Sequence, residues 1–358
     1  MKVKYYKNFI EDERVSMEQY SHDLIEYQTK NFDKIDIDFF RPKKDLFSNF
    51  ISSKKWKLRY LRYFSYQNQI KKLQAHDVAH VCEQQYVQLV HHLNSKTKFI
   101  TIHDLVPMVF KEELDHNPIL SKFSLKYLKY YNKVFAISEN TKNDILKYSD
   151  CPEEKIIVIM RSVESFFNKE PIDKKKICEK YSIPFEKKKI LISGNIFYKN
   201  LNFSKKVLDK LCEERNDVIF IHIGNANNSN EKIHHDKIFR IPYVNRIDLP
   251  LIYKISDMLF YPSIYEGFGM PLLEAMSCGL PIICSNNSSI PEVVGDAALM
   301  YSTFDIKIFV KSINKVLDDG ILHANLSNKS IERAKIFNQN KFHQNLINNY
   351  KKELGIVN

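Results

Sequence analysis

Short apolar runs alternate along this chain with longer stretches whose apolar residues recur at three- and four-residue spacing, and the alternation runs through twice. Strands that alternate with helices imply βαβ units and parallel sheets, because two parallel strands need a crossover that a helix supplies. The first series predicts strands over 3–9, 35–40, 77–81, 98–103, 133–138 and 155–160, and helices over 17–32, 86–93, 119–131 and 140–148. The second predicts strands over 190–193, 218–223, 238–241, 258–261, 281–284 and 299–301, helices over 201–214, 248–256, 271–277 and 290–294, and a loop over 224–235. Between them, 164–189 holds Pro171, Pro184 and many lysines and reads as a connection. The tail over 305–354 is helical by its spacing and is expected to pack back across the first domain. A length of 358 residues accommodates this as two α/β domains, 1–168 and 169–340, with a closing helix over 341–358.

Composition excludes several classes. Hydrophobic residues are 44% and charged residues 27%, as in globular proteins and unlike disordered or fibrous chains. No run of about 18 apolar residues occurs, and MKVKYYKNFIEDERV has charges where a signal peptide needs an apolar stretch. A cytoplasmic protein is expected, peripheral at the inner membrane face if it meets the membrane at all. The six cysteines are scattered without a CxxC pair, so neither a zinc site nor a disulfide framework is expected.

The net charge of +11 suits nucleic acid, an anionic membrane surface or phosphate-bearing substrates, and a general bias toward lysine also produces it. In SSKKWKLRYLRYFSYQNQIKKL, residues 52–73, Trp56, Leu58, Leu61 and Phe64 alternate with cations. That pattern fits either a helix lying on an anionic membrane or a packed helix with a solvated basic face.

Doubly wound sheets bind ligands outside the C-terminal ends of their strands. After the strand over 258–261 comes PSIYEGFGMPLLEAMSCGLPIICS, in which seven residues separate Glu266 from Glu274. Pro271 suits the first turn of a helix and Gly279 its end, so Glu266 precedes the helix and Glu274 lies on it. Gly267 and Gly269 let a ligand approach the backbone, and the helix start offers free N–H groups to a diphosphate. Glu274 is placed to accept two hydrogen bonds from a ribose diol. The spacing alone is equally met by surface glutamates flanking a glycine turn.

The surrounding residues narrow this. The chain resembles the GT-B glycosyltransferases of family 4, mannosyltransferase-like enzymes whose E-x7-E signature carries this EGFG, P, LEAM, CG and P context. The resemblance extends into SNNSSIPEVVGDAALMYSTFD, to TIHDLVPMVF on the acceptor side, and to FAISENTKNDILKY followed by EKIIVI, covering about 77–305. It implies a GT-B fold, two Rossmann-like domains facing a central cleft. It also implies retaining, metal-independent hexosyl transfer from a nucleotide-diphosphate sugar to a glycan or lipid-linked acceptor in polysaccharide or cell-surface glycan synthesis. No cofactor is needed beyond that co-substrate.

Carried over by position, the resemblance assigns the ribose to Glu274, the donor sugar to Glu266 with the backbone of Gly267, Phe268, Gly269 and Met270, and the diphosphate to Lys199 in ISGNIFYKNL. Gly194 and Asn195 open that donor loop. His103 faces the donor sugar from the acceptor side, with Asp104 beside it to orient it or the acceptor. Two departures stand out. The family's loop arginine is missing, Asn195 and Tyr198 taking its place, so the leaving group relies on Lys199 and the helix start unless Arg161 or Lys205 swings in. The glycine-rich loop after the first strand is replaced by DERVSMEQY, where Ser16 is expected as an acceptor-side helix cap with Gln19 three residues on.

Transfer in this family runs on the front face through an oxocarbenium-like transition state, so no protein nucleophile is required and the departing phosphate takes the acceptor proton. Asp36-Ile37-Asp38 spells a metal-binding Asp-x-Asp, but its alternating surroundings read as an exposed edge strand. Two alternatives compete, a nucleotide-sugar epimerase of similar fold and a basic nucleic-acid-binding protein. The first lacks a further His and acid pair beside Glu266, and the second lacks a recognised motif among the basic residues.

Overall fold

The computed structural model describes residues 1–113, 123–224 and 235–356. They form two compact units, residues 1–160 with 340–358 and residues 161–339.

The first unit is built on six parallel strands, β1 (Lys2–Tyr6), β2 (Asp36–Phe40), β3 (His76–Val81), β4 (Ser95–Ile102), β5 (Lys133–Ala136) and β6 (Ile156–Val158), in the order β2-β1-β3-β4-β5-β6. The inner strands bury successive residues on both sides, because both faces of the sheet are covered. Phe99, Ile100 and Ile102 are all fully buried. Among the described residues β2 pairs only with β1, and its alternation follows from one open edge. Its aspartates are held in ion pairs, Asp38 with Lys4 at 2.9 Å and Asp36 with Lys2 at 3.8 Å.

On one face the helices Val15–Asn31 and Gln339–Glu353 cover Val3, Tyr5, Phe99 and Phe135 with Tyr20, Leu24, Phe342, Leu346 and Tyr350. A buried polar chain threads this core. Tyr350 Oη lies 2.5 Å from His80 Nδ1, and His80 Nε2 lies 2.8 Å from Thr101 Oγ1.

The second unit carries β7 (Lys188–Ser193), β8 (Val218–Ile223), β9 (Ile238–Ile241), β10 (Met258–Tyr261), β11 (Ile282–Ser285) and β12 (Ala298–Tyr301), also parallel, in the order β12-β11-β10-β7-β8-β9. The chain runs outward from β7 to β9, then returns to lay β10 on the other side of β7. The ends of β7 and β10 therefore flank the point where strand order reverses, the place such sheets reserve for ligands.

Several expectations are corrected. Ser16 is not the helix cap. Arg14 holds that position without a side-chain cap bond, and Ser16 is an exposed residue inside the helix Val15–Asn31. The helix over 86–93 is a 3-10 stretch, Gln84–His91, interrupted at Tyr86 (φ −113°, ψ 18°). Residues 119–122 of the helix over 119–131, and 225–234 of the loop over 224–235, lie outside the described residues. Beyond 122 a short 3-10 turn, Leu128–Tyr130, precedes β5.

The stretch 164–189 is no bare connection, since it contains the helix Lys174–Lys180 and buries Phe167 and Cys178. Of the helical tail, Ile306–Asp318 and Gly320–Ala334 belong to the second unit, and the final helix alone packs in the first.

The basic aromatic segment is a helix, Lys54–Tyr60, that passes through a π turn, Leu61–Ser65, into Tyr66–Ile70. Leu61, Tyr66 and Ile70 are core residues, so Leu61 is not on the surface face. Trp56 and Phe64 are each 62% exposed, and Leu46, Phe47 and Phe50, at the preceding 3-10 turn Phe47–Phe50, are exposed as well. Phe47 packs on Tyr60 at 5.0 Å and Tyr60 stacks with Phe64 at 6.2 Å, which joins part of this set into one surface.

Candidate active site

β7 and β10 are hydrogen-bonded neighbours whose buried apolar residues hold their ends rigidly side by side. Beyond β7 the chain turns at Gly194 (φ +91°) and forms the 3-10 turn Phe197–Lys199. Asn200, in the left-handed region (φ +58°), then opens the helix Leu201–Glu214. Beyond β10 the loop 262–269 leads to the helix Met270–Ser277. A backbone bond from Ile264 N–H to Tyr198 O, 2.7 Å, ties the two loops together.

This brings Lys199 onto Glu266. Lys199 Nζ donates to Glu266 Oε1 at 2.7 Å and to Tyr261 Oη at 2.6 Å, and it lies 4.9 Å from the Tyr261 ring centroid. Burial, then the negative charge of Glu266, pushes the Tyr261 phenol well above its ordinary value, so it stays neutral. The loop after β11 supports Glu266 from behind. Glu266 N–H donates to Ser288 Oγ at 2.7 Å, and Ser289 Oγ–H donates to Glu266 O at 3.0 Å. Ser288 holds φ +49° to do so, a strained conformation for a serine.

The helix Met270–Ser277 begins and ends as its residues demand. Gly269, at φ +96°, is the cap, Pro271 lies in the first turn, and Gly279, at φ +69°, closes the helix with bonds from Leu280 N–H to Ala275 O and from Gly279 N–H to Met276 O, both 2.9 Å. Glu274 sits within it, 4% exposed. Tyr253 Oη–H donates to Glu274 Oε2 at 2.7 Å, and Arg246 Nη1–H donates to Glu274 Oε1. Glu274 is thus held inside a hydrogen-bonded group.

At the start of the Lys199 loop, His222 Nε2–H donates to the Gly194 carbonyl at 2.9 Å. Burial lowers the pKa of that imidazole. Asn195 is packed against Gly224, where any Cβ would stand 2.5 Å from its Oδ1. Gly267 and Phe268 continue the loop, with the Phe268 ring 5.7 Å from that of Phe337.

Of the two cations expected to stand in for the missing arginine, Lys205 pairs with Asp209 at 2.7 Å on its own helix, and Arg161 is buried. His103 and Asp104 belong to the first unit. His103 Nε2–H donates to Cys82 O at 2.9 Å, its ring meets Tyr20 edge-on at 4.6 Å, and its backbone N–H donates to Gln84 Oε1 at 3.2 Å. Asp104 Oδ1 accepts from Val106 N–H at 3.2 Å.

Arg246 and Tyr253 escape a sequence reading because no spacing links them to Glu274. His222 carries a weak signal, a polar residue inside the apolar strand VIFIHI.

Two parallel six-stranded sheets in separate α/β units, with a glutamate-bearing loop and helix at the reversal point of the second, fit a GT-B fold. Residues 173–335 match the family model described as glycosyl transferases group 1. It is 42% identical over 109 residues to the O-antigen chain mannosyltransferase B of Escherichia coli, covering 30% of this chain and 29% of that relative. The O-antigen chain mannosyltransferase RfbU of Salmonella typhimurium is 28% identical over 240 residues, 64% of each chain. Against several Escherichia coli mannosyltransferases it matches, the chain spans about a third of their length or less. Anabaena HepE, solved in complex with UDP-glucose, superposes with a TM-score of 0.76 at 12% identity, over 98% of this chain and 100% of that one.

Proposed function

We propose that this chain is a retaining, metal-independent hexosyltransferase that moves a sugar from a nucleoside-diphosphate donor to a glycan or lipid-linked acceptor in cell-surface polysaccharide synthesis. The observation that carries this reading is Lys199, bonded to Glu266 and Tyr261 where β7 and β10 end, beside the glycine-rich start of the helix Met270–Ser277. A diphosphate placed at that helix start meets backbone N–H groups and one ammonium, which stabilise the charge that develops on the leaving phosphate. Glu266 then faces the sugar hydroxyls and Glu274 the ribose. The UDP-glucose bound by HepE supports a nucleotide-sugar donor, and the two O-antigen mannosyltransferases support a hexose and a polysaccharide acceptor.

His103 and Asp104 stand on the acceptor side in this reading, with Ser16 at the start of the first long helix. The exposed Trp56 and Phe64 with Lys54, Lys55, Lys57 and Arg59 support peripheral contact with an anionic bilayer, suited to a lipid-linked acceptor. Among the described residues no helix is long and apolar enough to cross a membrane.

The test is nucleotide-sugar turnover with and without EDTA, repeated on Glu274→Ala and Lys199→Ala. Turnover is expected to persist in EDTA and to fall about 100-fold or more in each variant. A metal requirement, or activity surviving both substitutions, overturns the mechanism.

A further inference from the structure

Glu274 has a partner on each oxygen, and one of them is itself clamped. Arg246, between β9 and the helix Leu249–Ile255, donates from Nε to Glu164 Oε1 at 2.9 Å and from Nη2 to Glu164 Oε2 at 2.6 Å. Its remaining nitrogen, Nη1, donates to Glu274 Oε1, and its guanidinium carbon lies 4.4 Å from the Phe167 ring centroid. Burial disfavours the charge on this guanidinium, but Glu274 and Glu164 outweigh that and hold its pKa above the ordinary value. The fork of Arg is rigid and planar, so fixing two of its nitrogens on Glu164 fixes the third.

From this geometry we infer that Arg246, held by Glu164, is the positioning residue of the ribose site, and that it makes donor binding selective for a 2′,3′-cis-diol. A carboxylate offers about four lone-pair positions. Arg246 uses one on Oε1 and Tyr253 uses one on Oε2, leaving one on each oxygen for the two hydroxyls of a ribonucleotide. With both oxygens tethered, the carboxylate cannot rotate away when the diol is absent, so its orientation is set before the donor arrives. A nucleotide without the diol leaves the remaining positions unpaired in a dry site, and that mismatch is the source of selectivity. The inference rests on the assignment of Glu274 to the ribose.

The experiment is binding of GDP, UDP and ADP, each with its 2′,3′-dideoxy form, measured by calorimetry on the full chain and on Glu274→Gln, Arg246→Met, Arg246→Lys and Glu164→Gln. For the nucleotide that binds best, the unaltered chain is expected to prefer the ribo form by about 10- to 100-fold. Arg246→Met is expected to reduce that preference to within about 3-fold while affinity for the dideoxy form stays within about 3-fold, with Arg246→Lys intermediate.

A preference that persists in Arg246→Met, or equal losses for both nucleotide forms, overturns the role. If Arg246→Met does not fold, Glu164→Gln decides. A smaller ribo preference with unchanged dideoxy affinity supports the clamp, and an unchanged preference overturns it. The parent assignment is tested separately by Glu274→Gln. If that variant keeps the ribo preference, both readings fall, whereas if it loses the preference and Arg246→Met does not, only the role of Arg246 falls.

Discussion

Lys199 and Glu266 form an ion pair of 2.7 Å between loops 67 residues apart in the chain, with both side chains largely shielded from water. Each group compensates the other's loss of hydration, and Tyr261 supplies a further polar contact. A ligand phosphate placed at this lysine would meet a cation already oriented by the protein.

That dependence is measurable as a coupling energy. Lys199→Met strands a buried carboxylate and is expected to lower unfolding free energy by about 3–5 kcal/mol. The double variant Lys199→Met with Glu266→Gln is expected to recover about 1–3 kcal/mol of it. Urea denaturation of the unaltered chain, Lys199→Met, Glu266→Gln and the double variant checks this, and additive losses would show that the pair is not coupled.

Gly194→Ala tests how tightly the loop is built. At φ +91° an alanine is strained, and its Cβ would stand 2.8 Å from Lys199 Cγ. A stability loss of about 1–2 kcal/mol is expected, with donor affinity down about 10-fold as Lys199 is pushed aside. Thermal melts and nucleotide titration read the two effects separately.

Glu83, at the end of β3, is 1% exposed, and its Oε1 accepts from Arg14 at 2.6 Å. Burial is the main cause that raises its carboxyl to about 7 despite that arginine. A carboxyl whose folded value is raised binds its proton more tightly when folded. Its contribution to stability is therefore full below the unfolded value and is lost as pH rises to about 7. Glu83→Gln carries no such proton. Relative to the unaltered chain it is expected to gain up to on the order of 3 kcal/mol between pH 4.5 and pH 7.5. Denaturation at both pH values checks the sign, and a gap that shrinks with rising pH contradicts the assignment.

The exposed aromatic and basic face around Trp56 and Phe64 is expected to partition onto vesicles containing phosphatidylglycerol and much less onto neutral ones, with a steep decline in added salt. Trp56→Glu with Phe64→Glu is expected to weaken that partition about 10-fold or more without altering nucleotide binding. Vesicle co-sedimentation measures the first and calorimetry the second.

Much of this molecule was legible in its residues. The two sheets follow from buried strands interleaved with helices, since a one-sided period cannot satisfy a sheet covered on both faces. The turn at Gly269, the helix from Met270 and its stop at Gly279 follow from local conformational preferences that act over a few residues. Leu61 is buried while Trp56 is exposed because a spacing of five residues does not keep two side chains on one face of a helix. A serine near a helix start resembles a cap even when the chain enters the helix two residues earlier, as it does at Ser16.

By itself, then, the sequence determined what is local: the strand and helix alternation, the glycines that free the backbone, and the placement of Glu266 before the helix and Glu274 upon it. Only the tertiary structure decided which charges meet. Arg246 reaches Glu274 across 28 residues and Glu164 across 82, and Lys199 reaches Glu266 because β10 returns to lie against β7. Those pairings depend on strand order and on the cost of burying a charge alone, and neither is written in the spacing of any one segment.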